Sequence, residues 1–206
     1  KLLYHITDFN NLESILQRGG LLAQNKVQEK GLEYRNIAHT SIQDRRITTE
    51  VPLPPKGNLH DYVPFYFAYQ SPMLYAIHKG QVQGYGESQE NIIYLISRTD
   101  IINNASIKYV FTDGHAIMKF TDYYKELNEL YNIDWDVMSS KYWFDTVEDP
   151  DRKRRRQAEF LVYDFVPMEL LLGIAVKNEQ IKQKVLKVLE KFNYEINAYR
   201  KGNWYF

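Results

Sequence analysis

No cysteine occurs among the 206 residues, which excludes disulfides and thiolate zinc sites and is compatible with a reducing compartment. Excess charge is missing too: Lys and Arg number 26, Asp and Glu 26, so any polyanion-binding surface must come from local clustering. No apolar run approaches the ~18 residues of a membrane span, and no secretory leader is read, so a cytoplasmic protein with no membrane partner is expected. Nothing fits G-x-G-x-x-G or G-x-x-x-x-G-K-[ST], which leaves Rossmann and P-loop sites without support. H-E-x-x-H and G-x-S-x-G are absent, the five His are scattered, and no metal is expected. Repeats and low-complexity tracts are lacking.

Aromatic residues, by contrast, are plentiful. Seventeen Tyr and 10 Phe can pack a core and also offer faces on which bases or nicotinamide stack. The apolar share of 44% and charged share of 25% are those of an ordinary globular protein, and the length suits a single domain over 1–206.

Leu2–Thr7 reads as a short strand, followed by a helix capped by Asp8 or Asn10 and stopped by Gly19-Gly20. Residues 23–60 are polar and weakly periodic, a long loop of the kind that is functional or disordered, ending in the turn Pro52–Gly57. Tyr62–Ala68 reads as a strand, and Ser71-Pro72 opens a helix with Ser as cap. Further strands are expected at Ile92–Ile96, Lys108–Phe111, Glu159–Phe165, Gly173–Val176 and Tyr194–Tyr199. A helical segment should precede Tyr142-Trp143, and an amphipathic helix should span Gln180–Phe192. Strands alternating irregularly with helices argue an α+β fold.

The stretch Arg152-Lys153-Arg154-Arg155-Arg156-Gln157-Ala158-Glu159 stands out. Five consecutive cations run into an apolar strand with one carboxylate at the junction. Two readings are open from the residues: a solvated basic loop with a surface Glu, or a carboxylate in a partly dry cleft beside an anionic substrate. His5, mid-strand, is by itself more often a hydrogen-bonded core residue than a ligand. Arg45-Arg46, Tyr66, Tyr75 and His115 are the other polar groups in apolar settings.

Tyr4-His5-Ile6-Thr7 with Gly20-Leu21-Leu22 resembles the opening of the ADP-ribosyltransferase fold. Ile42–Arg46, Asp61–Phe67, Ser71–Ile77, Phe111–His115 and Gln157–Val162 resemble, in the right order, the DarT toxins, DNA ADP-ribosyltransferases of bacterial toxin–antitoxin pairs. The resemblance implies split, antiparallel-rich sheets flanked by helices. It also implies transfer of ADP-ribose from NAD, as substrate, to thymine bases of single-stranded DNA. Glu159 matches the catalytic Glu, and Arg46 an Arg near the reaction centre. His5, Thr7, Arg45, Arg46, Tyr66 and Tyr75 would contact NAD, with 23–60 covering it. His115, Arg154, Arg155 and Arg156 would meet DNA, with 115–159 facing the acceptor. A DarG-type macrodomain antitoxin is the implied partner.

Asp44, directly before Arg45-Arg46, is a departure: a carboxylate there could draw either Arg from its ligand. Two alternatives stay open. One is a related enzyme acting on protein or RNA, such as an RNA 2′-phosphotransferase; the other is a non-catalytic single-strand-binding module.

Overall fold

The computed structural model describes residues 1–206. Its ten strands are β1 (Leu2–Asp8), β2 (Gly20–Leu22), β3 (Tyr62–Tyr66), β4 (Ile92–Arg98), β5 (Tyr109–Thr112), β6 (Tyr123–Tyr124), β7 (Glu159–Tyr163), β8 (Phe165–Pro167), β9 (Gly173–Val176) and β10 (Ala198–Arg200). Eight helices lie among them: α1 (Leu12–Gln17), α2 (Gln24–Glu29), α3 (Thr40–Thr48), α4 (Pro72–His78), α5 (Thr99–Asn104), α6 (Trp135–Ser139), α7 (Arg152–Arg155) and α8 (Glu179–Lys191). The caps follow local chemistry. The Asp8 carboxylate accepts the Asn10 amide at 2.8 Å, and Ser71 Oγ accepts the Leu74 amide at 3.2 Å, with Pro72 at the first helical position.

Eight strands form one sheet in the order β10-β9-β4-β1-β3-β7-β5-β6, and β2 pairs β8 in a second, smaller sheet. Every pairing is antiparallel except β9 with β10. The α+β expectation is met. The large sheet has a seam: β1 pairs β4 along its whole length but meets β3 only at Tyr4↔Tyr66. The freed edge matters for the site, because the His5 ring reaches across it to the Pro64 carbonyl at 2.8 Å.

Alternation along β1 feeds two cores. Leu3 joins Leu95, Phe160 and Ile174 against α1 and α8, whereas Tyr4 and Ile6 join Leu74, Tyr94 and Tyr205. A third cluster, around Leu59, Tyr62, Val110 and Leu161, sits beneath the loop after β5.

Several local expectations need correction. The 23–60 segment is not all loop, since it forms α2 and α3. The run read as one strand from Glu159 to Phe165 is broken at Asp164, whose φ of +67° turns the chain into the second sheet. The basic run is a one-turn helix rather than a loop. The last strand begins at Ala198, not Tyr194.

Candidate active site

A cleft of about 870 Å³, open mouth included, lies along the β1–β3 seam. Its floor carries His5, Thr7 and Pro64, and its wall is built from Tyr34–Ala38 together with Gln43 and Arg46 of α3. Asn11 secures that wall: its side chain donates to Arg35 O at 2.9 Å and accepts from Arg35 N at 2.7 Å, while also donating to Thr7 Oγ1 at 3.0 Å. Burial draws the His5 imidazole down to about 4, with the Pro64 carbonyl pulling weakly the other way. A neutral ring whose Nδ1–H faces that carbonyl keeps Nε2 as an acceptor.

Glu159 opens β7 and is 1% exposed. Its Oε2 accepts from Arg46 Nη1 at 2.8 Å. Its Oε1 lies 3.1 Å from His115 Nδ1 and accepts the Ala116 amide at 3.1 Å. Thr112 Oγ1 holds the start of the strand, accepting the Glu159 amide at 3.1 Å and donating to Gly114 O at 2.7 Å. Burial pushes this carboxyl up, but the Arg46 guanidinium and His115 outweigh it and hold it at about 2. Glu159 is therefore an ionised carboxylate inside the protein. Arg46 stands between it and the cleft, and Arg46 Nη2 and His60 Nδ1, both on cleft-lining side chains, are buried with no partner.

These positions sort the expected residues. His5, Thr7 and Arg46 come together at the cleft. Tyr66 lies one layer behind: it is register-paired with Glu159, and its hydroxyl meets Sδ of the cleft residue Met73 at 3.6 Å. Burial and the nearby Glu159 push that hydroxyl well up. His115 reaches Glu159 itself rather than standing apart at an acceptor surface.

Arg45 and Tyr75 are not at the cleft. On α3, consecutive side chains diverge by about 100°, so Arg46 turns inward while Arg45 donates to Ile117 O at 3.1 Å. On α4 the same geometry gives the cleft to Met73 and sends Tyr75 into an aromatic cluster, with ring centroids 5.5 Å from Phe144 and 5.1 Å from Phe206. Asp44 is exposed and pairs with neither Arg45 nor Arg46, so the competition expected of it is not formed.

The basic run is mostly committed inside the protein. Arg154 pairs with Asp113 at 3.1 Å and Asp151 at 2.8 Å, and Arg155 pairs with Asp134 and Asp149. Arg156 is 3% exposed and donates to the carbonyls of Gln70, Val137, Met138 and Ser140 at 2.9, 2.6, 3.0 and 2.9 Å. A buried guanidinium so engaged has nothing to offer a phosphate, which corrects its expected DNA contact. Lys153 is the exposed cation of the run. Sequence reasoning missed Asn11, Gln43 and His60, polar residues in stretches with no periodic signal.

No group of three or more His, Asp or Glu is arranged to hold a metal ion, and no helix is long and apolar enough to cross a membrane.

Residues 4–206 match the family model described as DarT, ssDNA thymidine ADP-ribosyltransferase. A DNA ADP-ribosyl transferase of Thermus sp. (strain 2.9) is 43% identical over 92% of this chain and 88% of its own length. The solved structure of Thermus sp. 2.9 DarT in complex with ADP-ribosylated ssDNA superposes with a TM-score of 0.93 at 39% identity, covering 100% of this chain and 96% of that one. The complex of the same enzyme with NAD+ superposes with a TM-score of 0.89 at 38% identity, covering 100% and 97%.

Proposed function

The chain belongs to the DarT family of ssDNA thymidine ADP-ribosyltransferases, and from that premise we propose that it transfers ADP-ribose from NAD to thymine bases of single-stranded DNA, as the toxin of a toxin–antitoxin pair. The observation that carries this is a buried, ionised Glu159, held by Arg46 and His115 beside a cleft whose floor presents His5 and Thr7. Breaking the nicotinamide glycosidic bond sends the bonding pair out with neutral nicotinamide and leaves an oxocarbenium-like ribose. A fixed negative charge is what such a centre needs, and a carboxylate held at about 2 supplies it throughout the working pH range.

The acceptor then forms a bond from thymine N3 to the ribose carbon, and the N3 proton must leave. While Arg46 and His115 hold it, Glu159 is a weak base. It gains basicity when Arg46 turns toward the developing thymine anion, so one guanidinium serves both halves of the reaction. In this proposal His5 and Thr7 meet the adenosine side of NAD, residues 23–60 cover it, and 115–159 face the strand. Exposed Tyr142 and Phe144, with Lys153 on the neighbouring helix, suit a flexible polyanion with stacking bases.

The toxin role goes with a DarG-type macrodomain partner: an adduct on a template base blocks copying unless an ADP-ribosyl hydrolase removes it. The test is incubation with NAD and with single- and double-stranded oligonucleotides, followed by mass analysis of each. One ADP-ribosyl group should appear on thymine-containing single strands and none on strands lacking thymine. Adducts on protein or RNA alone would defeat the proposal. In cells, expression should arrest growth and a co-expressed ADP-ribosyl-DNA hydrolase should restore it.

A further inference from the structure

Three arginines line the cleft and no carboxylate does. Arg46 is neutralised by Glu159 at 2.8 Å and Arg35 by Glu87 at 2.9 Å. Both cleft imidazoles are drawn toward the neutral form, His5 and His60 alike chiefly by burial. Arg18 is different. It is half-buried, ends α1 immediately before the turn at Gly19 and Gly20, and forms no ion pair or hydrogen bond through its guanidinium. Burial alone draws that guanidinium below the ordinary arginine range, with no acid near enough to counter it, and it stays cationic at neutral pH. Gly20 cannot carry a side chain without striking Val166 O and the Phe165 ring, so the chain immediately after Arg18 is packed tightly against the second sheet.

A partly buried, unpaired cation in a cleft without acids is well placed for a ligand that brings the missing anion. The dinucleotide proposed for this cleft has one anionic part, its diphosphate. We propose that Arg18 is the diphosphate anchor of the cleft, its one arginine without a carboxylate partner, available to the two phosphates of NAD. A planar fork of donors suits two phosphate oxygens at once, which a lysine cannot match. The inference rests on the NAD reading above and deepens it.

Titration of the whole chain and of Arg18→Ala and Arg18→Lys with adenosine, ADP, ADP-ribose and an oligothymidine separates the possibilities. For Arg18→Ala, affinity for ADP and ADP-ribose should fall about ten- to a hundredfold, the range of a hydrogen bond to a charged group. Adenosine and oligothymidine affinities should hold, and Arg18→Lys should recover part of the loss. Equal losses for adenosine and ADP would make Arg18 a merely structural residue and overturn the proposal. So would a loss confined to oligothymidine, which places the cation on the strand, or no loss at all. Unmodified protein that binds neither ADP-ribose nor NAD would instead sink the NAD reading, and the anchor with it.

Discussion

Glu159 is 1% exposed, and a lone carboxyl so buried would take up a proton rather than lose its hydration. Arg46 and His115 reverse that preference, so the carboxylate and its partners form one unit. Glu159→Gln should keep measurable ADP-ribose binding yet lose transfer by about 10²–10³-fold, because the amide cannot stabilise a cationic sugar. Near-normal turnover by the folded variant would remove Glu159 from the mechanism. The same unit sets a pH dependence. The folded-state pKa of about 2 lies below the ordinary 4.5, so its stabilisation is complete above 4.5 and is lost as pH falls toward 2. Melting temperature should drop through that window in the unmodified protein, and the part of the drop due to Glu159 should vanish in Glu159→Gln. Arg156 supplies the contrast. Arg156→Ala strands the carbonyls of Gln70, Met138 and Ser140, while Val137 O keeps the Ser140 amide, and should cost about 3 kcal/mol, since each unsatisfied buried group is worth about 1–3 kcal/mol and water re-enters in part. The salt dependence of DNA affinity should not change, and a shallower slope would return Arg156 to the DNA.

Element by element, α7 and the loop after β5 behave as one piece. Arg154 accepts the His115 amide on its carbonyl at 3.1 Å, and its guanidinium reaches Asp113 at 3.1 Å and Thr121 Oγ1 at 3.2 Å. Thr121 Oγ1 in turn donates to His115 O at 2.9 Å. The basic helix therefore fixes the segment that holds one oxygen of Glu159. Arg154→Ala should lower turnover with ADP-ribose affinity intact and leave the DNA salt slope unchanged. Lys153→Ala should instead reduce the slope by about 0.7, the share of one phosphate on a single strand. The reverse pattern would restore Arg154 to the strand. The same elements explain what the sequence made legible. Ser71-Pro72 and the alternation of β1 are local signals, and the structure keeps them. α3 is invisible to periodicity because Arg46 is its one buried residue among nine. That Arg154 and Arg155 are neutralised also could not be read, because Asp113 and Asp134 come from other parts of the chain. The Glu159–Arg46 contact spans 113 positions; resemblance brought both residues to attention, and only the fold joins them.

For the whole molecule, the seam between β1 and β3 is the organising feature. Two halves of one mostly antiparallel sheet meet there at a single register pair, and the opening receives the wall of 34–38 and the inward face of α3. A ligand seated in it touches both halves of the sheet and should stabilise the fold as a unit. At a hundredfold excess over its dissociation constant, ADP-ribose should add about 2.7 kcal/mol, raising the melting temperature by roughly 5–10 °C for a domain of this size. The central claim, that this cleft and its buried carboxylate move ADP-ribose from NAD to a thymine, is tested most directly by one comparison. A single-stranded oligonucleotide with one thymine is incubated with NAD and either the unmodified protein or Glu159→Gln, and its mass is followed together with nicotinamide release. The expected result is one ADP-ribosyl group per strand with matching nicotinamide for the unmodified protein, and neither for the variant. Nicotinamide release without a DNA adduct, or an adduct that forms equally well with Glu159→Gln, would contradict it.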